Sequence, residues 1–270
     1  MRRALAVARD TKSDELSSSG FGIALRRYRW CPLLLLGYAV PALAGPPFVT
    51  DDPEPPDLGR WEVNYAVTNT VSKDGEAGMA PLVDANYGAL PDLQLHIQPQ
   101  MAYVRTPKGI QFGPGDTEIG VKYRFVEEDE AGWVPMISLY PLIELPTGDE
   151  KRGLGAGVAR TFVPLWAQKS FGKWTVYGGG GYGINPGAGK NAWFLGGVGL
   201  YQLTDALQLG GEAFQQTAEA PGDKDSPGFN LGGSYKLAED VSLLFSAGRG
   251  LANASSSNRF SSYLALQVIY

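Results

Sequence analysis

Residues 87–125 constrain the fold of this chain more than any other stretch. Leu93-Gln94-Leu95-His96-Ile97-Gln98-Pro99-Gln100-Met101-Ala102-Tyr103 alternates apolar and mostly polar residues over eleven positions. Asp116-Thr117-Glu118-Ile119-Gly120-Val121-Lys122-Tyr123-Arg124-Phe125 does the same, with Asp116, Glu118, Lys122 and Arg124 on one parity. A period of two marks strands whose two faces meet different media. Sandwich strands alternate too, but they usually run to about five or six residues. Ten or eleven is roughly the length a tilted strand needs to cross an outer membrane. The pattern predicts an all-β fold, a transmembrane antiparallel up-and-down β-barrel.

The remaining chain repeats the pattern. Trp61, Val63, Tyr65 and Val67 oppose Arg60, Glu62, Asn64 and Thr68 in a first strand. Further strands are predicted over 79–87, 133–145, 158–168, 174–184, 193–203, 207–215, 229–237, 241–251 and 260–270, which makes about 12 in all. An even count suits a bacterial single-chain barrel. Connections alternate as well. Those at 88–92, 169–173, 204–206 and 238–240 are short, and 127–132 is only slightly longer. The others, including 105–115, are mostly longer and rich in Gly, Ser, Pro and charge. Short periplasmic turns facing longer outer loops give this rhythm when both termini are periplasmic.

Aromatic residues fall at the predicted strand ends. Trp61, Tyr87, Phe125, Trp133, Trp174, Tyr201, Tyr235 and Tyr270 map to one end, and Tyr103, Tyr182, Trp193, Phe229 and Phe260 to the other. Two girdles at the headgroup levels are expected from this placement. Pro99, Pro141 and Pro164 sit inside predicted strands, where each removes a ladder donor and calls for a bulge. Arg249 falls on the lipid-facing parity unless its strand shifts register near the outer end.

Composition agrees with a barrel, whose lipid face needs only every second residue to be apolar. The 270 residues include 36 glycines and are 44% hydrophobic. No run approaches the roughly 18 apolar residues of a spanning helix. Residues 1–44 read as an over-long N-terminus plus a signal peptide: Arg26, Arg27 and Arg29, then the apolar run 31–40, then Ala42-Leu43-Ala44 as a cleavage site. Residues 45–58 hold five prolines and four carboxylates and cannot form a ladder strand. A Pro-rich acidic periplasmic tail is expected there, with a segment folded into the lumen as the alternative. The barrel proper is expected over 59–270.

Removing residues 1–44 takes away seven basic and three acidic residues, leaving 16 and 25 and a net charge of -9. That balance argues against nucleic acid as a partner. The one cysteine, Cys31, leaves with the signal, so no cysteine metal site or disulfide is expected in the mature chain. A single histidine excludes a two-histidine metal site within one chain. No cofactor is expected.

The inward parity carries Glu62, Asp84, His96, Asp116, Glu118, Lys122, Arg124, Glu144, Arg160, Glu212 and Lys236 as candidate lumen-lining residues. Charges in a spanning structure need a polar lumen or a partner. They form either a stiffening salt-bridge network or a pore lining that selects solutes. Twelve strands fall between side-chain-filled barrels of about eight and open ones of about sixteen, so size does not decide. His96 is expected to be a hydrogen-bonding lumen residue; a lipid hydrolase would need it beside a serine at the outer lipid interface.

Several segments are similar to one family. They are Asn86-Tyr87-Gly88-Ala89-Leu90-Pro91-Asp92-Leu93-Gln94-Leu95, the run 115–125, Tyr140-Pro141-Leu142-Ile143-Glu144-Leu145-Pro146-Thr147-Gly148, and Pro164-Leu165-Trp166-Ala167-Gln168-Lys169-Ser170-Phe171-Gly172. They resemble the transporter-like outer-membrane barrels labelled "putative MetA-pathway of phenol degradation". The resemblance covers most of the mature chain, and its motifs are structural, with no catalytic residue to carry over. It implies an outer-membrane channel for uptake of small solutes, aromatic ones among them. The rival readings are a closed structural barrel displaying its loops and an outer-membrane lipid hydrolase. Phe260, Leu264, Leu266, Val268 and Tyr270 share a parity ending in an aromatic, which resembles the terminal-strand signal read by the barrel-assembly machinery. The expected partners are therefore that machinery, the outer-membrane bilayer and small solutes.

Overall fold

A computed structural model describes residues 46–270 apart from 130 and 188. The expected leader and its cleavage site lie outside the described residues. The fold is a closed twelve-strand antiparallel barrel. Its strands are β1 (Trp61–Val71), β2 (Glu76–Leu90), β3 (Leu93–Gln98, resuming as Gln100–Thr106) and β4 (Gly109–Pro114, resuming as Thr117–Val126). Then come β5 (Met136–Leu139, resuming as Leu142–Leu145), β6 (Arg160–Phe171), β7 (Trp174–Ile184) and β8 (Ala192–Gln202). The last four are β9 (Leu207–Gln216), β10 (Ser226–Ala238), β11 (Val241–Gly250) and β12 (Phe260–Ile269). Each strand pairs with its sequence neighbour, and β1 closes the cylinder on β12 from Glu62↔Ile269 to Val71↔Phe260. Closure leaves no edge, so the ladder satisfies the backbone where no water is available.

Two of the three strand prolines account for interruptions. Pro99 splits β3, and Tyr140-Pro141 splits β5. Pro164 stays in β6, opposite Gly181. All three lack a donor, yet their carbonyls still accept bonds: Val83 N to Pro99 O, Val121 N to Pro141 O and Tyr140 N to Pro164 O, each 3.1 Å. The wall therefore bends at these points without opening.

The expected loop over 105–115 is instead β-hairpin. The β3 and β4 ladder continues to Thr106↔Gly109 around a two-residue turn, and 109–114 pairs with β3 alone. In place of a strand on its other side, the connection 146–159 folds against it. Arg152 donates to Gln111 Oε1 and to Phe112 O, while Leu154 is buried with Ala77, Ala102 and Val104.

The outward parity is apolar and exposed, including Leu95, Ile97, Ile119, Val121, Leu195, Leu231 and Leu264. The girdle aromatics pair across strands: Trp61 stacks on Tyr87 at 4.7 Å, Trp174 meets Tyr201 at 4.9 Å, and Tyr182 meets Trp193 at 4.8 Å. Tyr103 differs, because its hydroxyl turns to Thr68 O and Asn69 Oδ1 over Gly78. Arg249 is exposed beside Phe229 near the long-loop end of β11, on the lipid parity as the sequence indicated.

Candidate functional site

The segment 46–58 runs inside the barrel and is not a tail. At the short-turn end it leaves β1 through Arg60 N to Asp57 O at 2.9 Å and Gly59 N to Gly88 O at 2.7 Å. Gly88 is required there, since a Cβ would lie 2.1 Å from Asp57 O. Deeper in, Phe48, Thr50, Asp51 and Pro53 are all fully enclosed. The prolines keep the segment extended and remove donors that a lumen could not satisfy.

Two anchors hold this plug, one on each side of the barrel. Lys122 on β4 reaches Asp51 Oδ1 at 3.2 Å and donates to Asp52 O at 2.9 Å, with its ammonium 4.8 Å from the Tyr140 ring centre. Opposite, the Glu212 carboxylate on β9 accepts from Thr50 N and Thr50 Oγ1, both at 2.6 Å, from Val49 N at 3.2 Å, and from Asn230 Nδ2 at 2.6 Å. Ser246 on β11 donates to Pro47 O. Gly196 on β8 makes the approach possible, because a Cβ there would lie 1.9 Å from Thr50 Oγ1. Phe48 completes the seat by packing with Tyr177, Val198 and Leu200. Burial pushes the Asp51 carboxyl up to about 7 against the pull of Lys122. Burial and then Asp52 raise Glu54.

A second cluster fills the wall beside the plug. His96 Nδ1 lies 3.2 Å from Asp84 and 2.9 Å from Asn86 Oδ1, and Nε2 lies 3.3 Å from Glu118. Asn64 and Asn86 donate to the two Asp84 oxygens, and Gln94 donates to Asn86. All of these side chains are buried. Carboxylates that are paired and hydrogen-bonded in this way carry their burial cost through mutual geometry.

The predicted lumen residues therefore divide. Glu62, Asp84, His96, Glu118, Lys122 and Glu212 meet around the plug. Glu144 and Arg160 pair across β5 and β6 beneath the 146–159 connection. Asp116 is buried but serves that connection, accepting from Gly148 N at 2.8 Å and Ala156 N at 2.6 Å. Arg124 lies at the short-turn rim, where it binds Asp92 across the β2–β3 turn. Lys236 shares the inward parity yet is exposed at the end of β10. Sequence reasoning missed Thr50, Asp51 and Asp52, and also Asn64, Asn86, Gln94 and Tyr140. Alternation placed these last four on interior faces, but only charge had marked a position as chemical.

Two chambers adjoin the plug. The larger, about 490 Å³, lies toward the long loops. Its floor is Phe48, Val49, Phe214 and Tyr263, and hydroxyl and amide side chains such as Thr68, Asn69, Ser246 and Ser261 form its walls. The smaller, about 260 Å³, lies toward the short turns between the plug, β1–β4 and the end of β12. Its lining carries Asp51, Asp52, Glu54, Asp57, Glu62 and Asp84 together with Lys122 and His96.

The family model described as "Putative MetA-pathway of phenol degradation" matches residues 58–266. The chain belongs to this family. No protein in the curated collection matches it. Among solved structures, the COG4313 outer membrane channel from Pseudomonas putida F1 aligns with a TM-score of 0.66 at 16% identity, covering 81% of this chain and 98% of that one. That likeness establishes the barrel architecture. CdiB from Acinetobacter baumannii aligns with a TM-score of 0.38 at 9% identity, over 78% of this chain and 60% of that one. OmpT of Vibrio cholerae gives 0.33 at 11%, over 78% and 96%. The last two scores are too low to bear on this chain.

Proposed function

We propose that this family member is an outer-membrane channel for uptake of small solutes, aromatic ones among them. The observation that carries the reading is the pair of chambers in series inside one closed wall, about 490 and 260 Å³, divided by a short plug segment. A barrel built only to display loops would gain nothing from internal space lined by polar groups. The larger chamber has the size of an ordinary small-molecule site, and its aromatic floor with hydroxyl walls suits a ring bearing polar substituents. In this reading the short turns face the periplasm, the long loops face outward, and a leader cleaved after Ala44 delivers the chain to the assembly machinery. The mature protein should then begin at Gly45.

The plug and its anchors favour a second reading, a closed structural barrel. Planar-bilayer conductance and liposome swelling separate the two. Single-channel steps and solute-dependent swelling are expected, and a folded barrel that passes neither ions nor small solutes overturns the channel. Hydrolysis has less support. The groups bonded or paired to His96 are Asn86, Asp84 and Glu118, with no serine or threonine hydroxyl among them. His96→Ala should leave lipid release at background, as in the parent.

A further inference from the structure

We infer that the short-turn chamber makes this pore selective for cations, and that the solutes it favours are small organic ammonium compounds with an apolar body. The inference rests on the channel reading and names the solute class for the same lumen. Its first support is an imbalance of charge inside a confined space. Six carboxylates, those of Asp51, Asp52, Glu54, Asp57, Glu62 and Asp84, line the chamber, against Lys122 and His96. Even with both cations charged, and leaving out Asp51 and Glu54, which burial raises, and the neighbouring Glu62, the carboxylates of Asp52, Asp57 and Asp84 outnumber them. Glu54, Asp57 and Glu62 take part in no ion pair among the described residues, whereas Asp51, Asp52 and Asp84 do. Charge of one sign lining a narrow, low-dielectric passage concentrates counter-ions and repels co-ions.

The second support is the ammonium already bound there. Lys122 is 4% exposed. Its head group is held by the Asp51 carboxylate, the Asp52 carbonyl and carboxylate, and the face of Tyr140. The lumen is thus built to desolvate a primary ammonium and to replace its water with carboxylate, carbonyl and aromatic contacts. A free ammonium entering beside Lys122 meets further carboxylates in Glu54, Glu62 and Asp57.

The larger chamber sets the rest of the solute. No ion-paired side chain lines its inner floor, which is Phe48, Val49, Phe214 and Tyr263, and its charged residues Lys73, Asp74, Glu219, Asp223 and Lys224 belong to the strand connections at its rim. A solute with an apolar body and an ammonium head finds favourable contacts in both chambers in turn. An organic carboxylate finds them only in the first.

The test is the reversal potential of the full-length protein in planar bilayers across a KCl gradient. A potassium-to-chloride permeability ratio above ~3 is expected at about 0.1 M, falling toward unity at about 1 M as salt screens the lining. The double substitution Glu54→Gln with Glu62→Gln should bring the ratio near unity at the lower concentration while conductance persists. In liposome swelling, phenethylammonium should enter at least about three times faster than phenylacetate. A conducting pore with a ratio at or below unity, or equal entry of the two organic ions, overturns the inference and leaves the channel standing. A barrel without any conductance overturns both. Should the double variant fail to assemble, the parent's ratio and its two swelling rates decide the matter by themselves.

Discussion

The walls formed by β1–β6 and by β7–β12 enclose the same lumen with different side chains. Strands β3 to β5 are interrupted, and the inner face of the first wall buries Asn64, Asp84, Asn86, Gln94, His96 and Glu118 in one bonded cluster, with Lys122 buried beside it and bound to the plug. Strands β7 to β12 are continuous, and their buried interior is mostly apolar, including Tyr177, Phe194, Val198, Leu200, Leu244, Tyr263 and Ala265, with Asn230 and Ser246 as buried polar groups and Glu212 as the one buried carboxyl among the described residues of these strands. Glycines thin this second wall where something must pass close. Gly179 lies under the Trp166 ring, and Gly196 lies under Thr50. The plug uses both walls, with an ion pair to the first, and a carboxylate accepting backbone bonds plus an aromatic seat on the second. One wall supplies charge and fixed dipoles, and the other supplies fit.

The largest expected effect comes from breaking the plug's attachment to the charged wall. Lys122→Met leaves Asp51 buried without its cation, a loss of about 3–5 kcal/mol for a pair broken on one side. The barrel ladder does not involve this side chain, so the segment should undock while the barrel stays heat-modifiable. A protease cutting before aspartate should then reach the Thr50–Asp51 bond, which is buried in the parent, and mean conductance should rise. Glu212→Gln on the other wall keeps its shape and one acceptor and loses the charge, so about 1–2 kcal/mol is expected. Equal protection of the Thr50–Asp51 bond in both variants would show that the walls contribute alike.

Next in size is a test of which face is which. Val121 is 38% exposed on the outward face of β4, one residue from buried Lys122. Val121→Arg places a charge in hydrocarbon at a cost of roughly 2–4 kcal/mol near the midplane. Assembly should fall, as read by the folded fraction in unheated electrophoresis, whereas Glu118→Gln should still assemble. The opposite result would mean that β4 is out of register by one residue, which exchanges its two faces.

The second wall offers an internal control. At Gly196 a new Cβ meets Thr50 Oγ1 at 1.9 Å, while at Gly199 on the same strand nothing lies within 4 Å. Gly196→Ala should displace the plug at a cost of about 1–3 kcal/mol for overpacking, raising conductance and protease access to the Thr50–Asp51 bond. Gly199→Ala should change neither. If the two variants behave alike, fit to the second wall does not hold the plug.

These contrasts also show what the sequence could reveal. The strands were legible because lipid on one side and lumen on the other impose a period of two, and no loop can imitate ten residues of it. Pro99 and Pro141 announced two of the interruptions for the same reason, since a proline withholds a ladder donor. The plug was legible only as the alternative to a periplasmic tail. Thr50-Asp51-Asp52-Pro53-Glu54-Pro55-Pro56 has no periodicity, and a segment that pairs with no strand leaves no register to read. Its partners, Lys122 and Glu212, were found as inward charges, but parity gives a side chain's face and not what stands opposite it. Asp116 shows the same limit: it faces inward as expected, yet it is bound to the backbone of a connection forty residues away.

The smallest expected effect concerns the turns, where the halves differ again. The β4–β5 connection, 127–135, is fastened by Glu128, which is 2.8 Å from Lys169 Nζ and 2.8 Å from Ser170 N. The β8–β9 turn is closed locally, through bonds of Thr204 with Gln202, Ala206 and Leu207 and one from Leu203 to Leu207, with no ion pair among them. Partial burial would raise the Glu128 carboxyl, but the bonds from Lys169 and Ser170 outweigh it and hold the group below its ordinary value. A carboxyl lowered on folding contributes stability above its unfolded pKa and loses it as pH falls through the folded one. Glu128→Gln should therefore lower the midpoint of heat modification at neutral pH by the equivalent of about 1 kcal/mol or less, as for a partly exposed ion pair. The gap between parent and variant should close as pH falls below about 4, where the parent carboxyl is itself protonated. A gap that persists unchanged into acid would assign the effect to packing of the turn, and the pairing of Glu128 with Lys169 would then contribute nothing measurable to this half of the barrel.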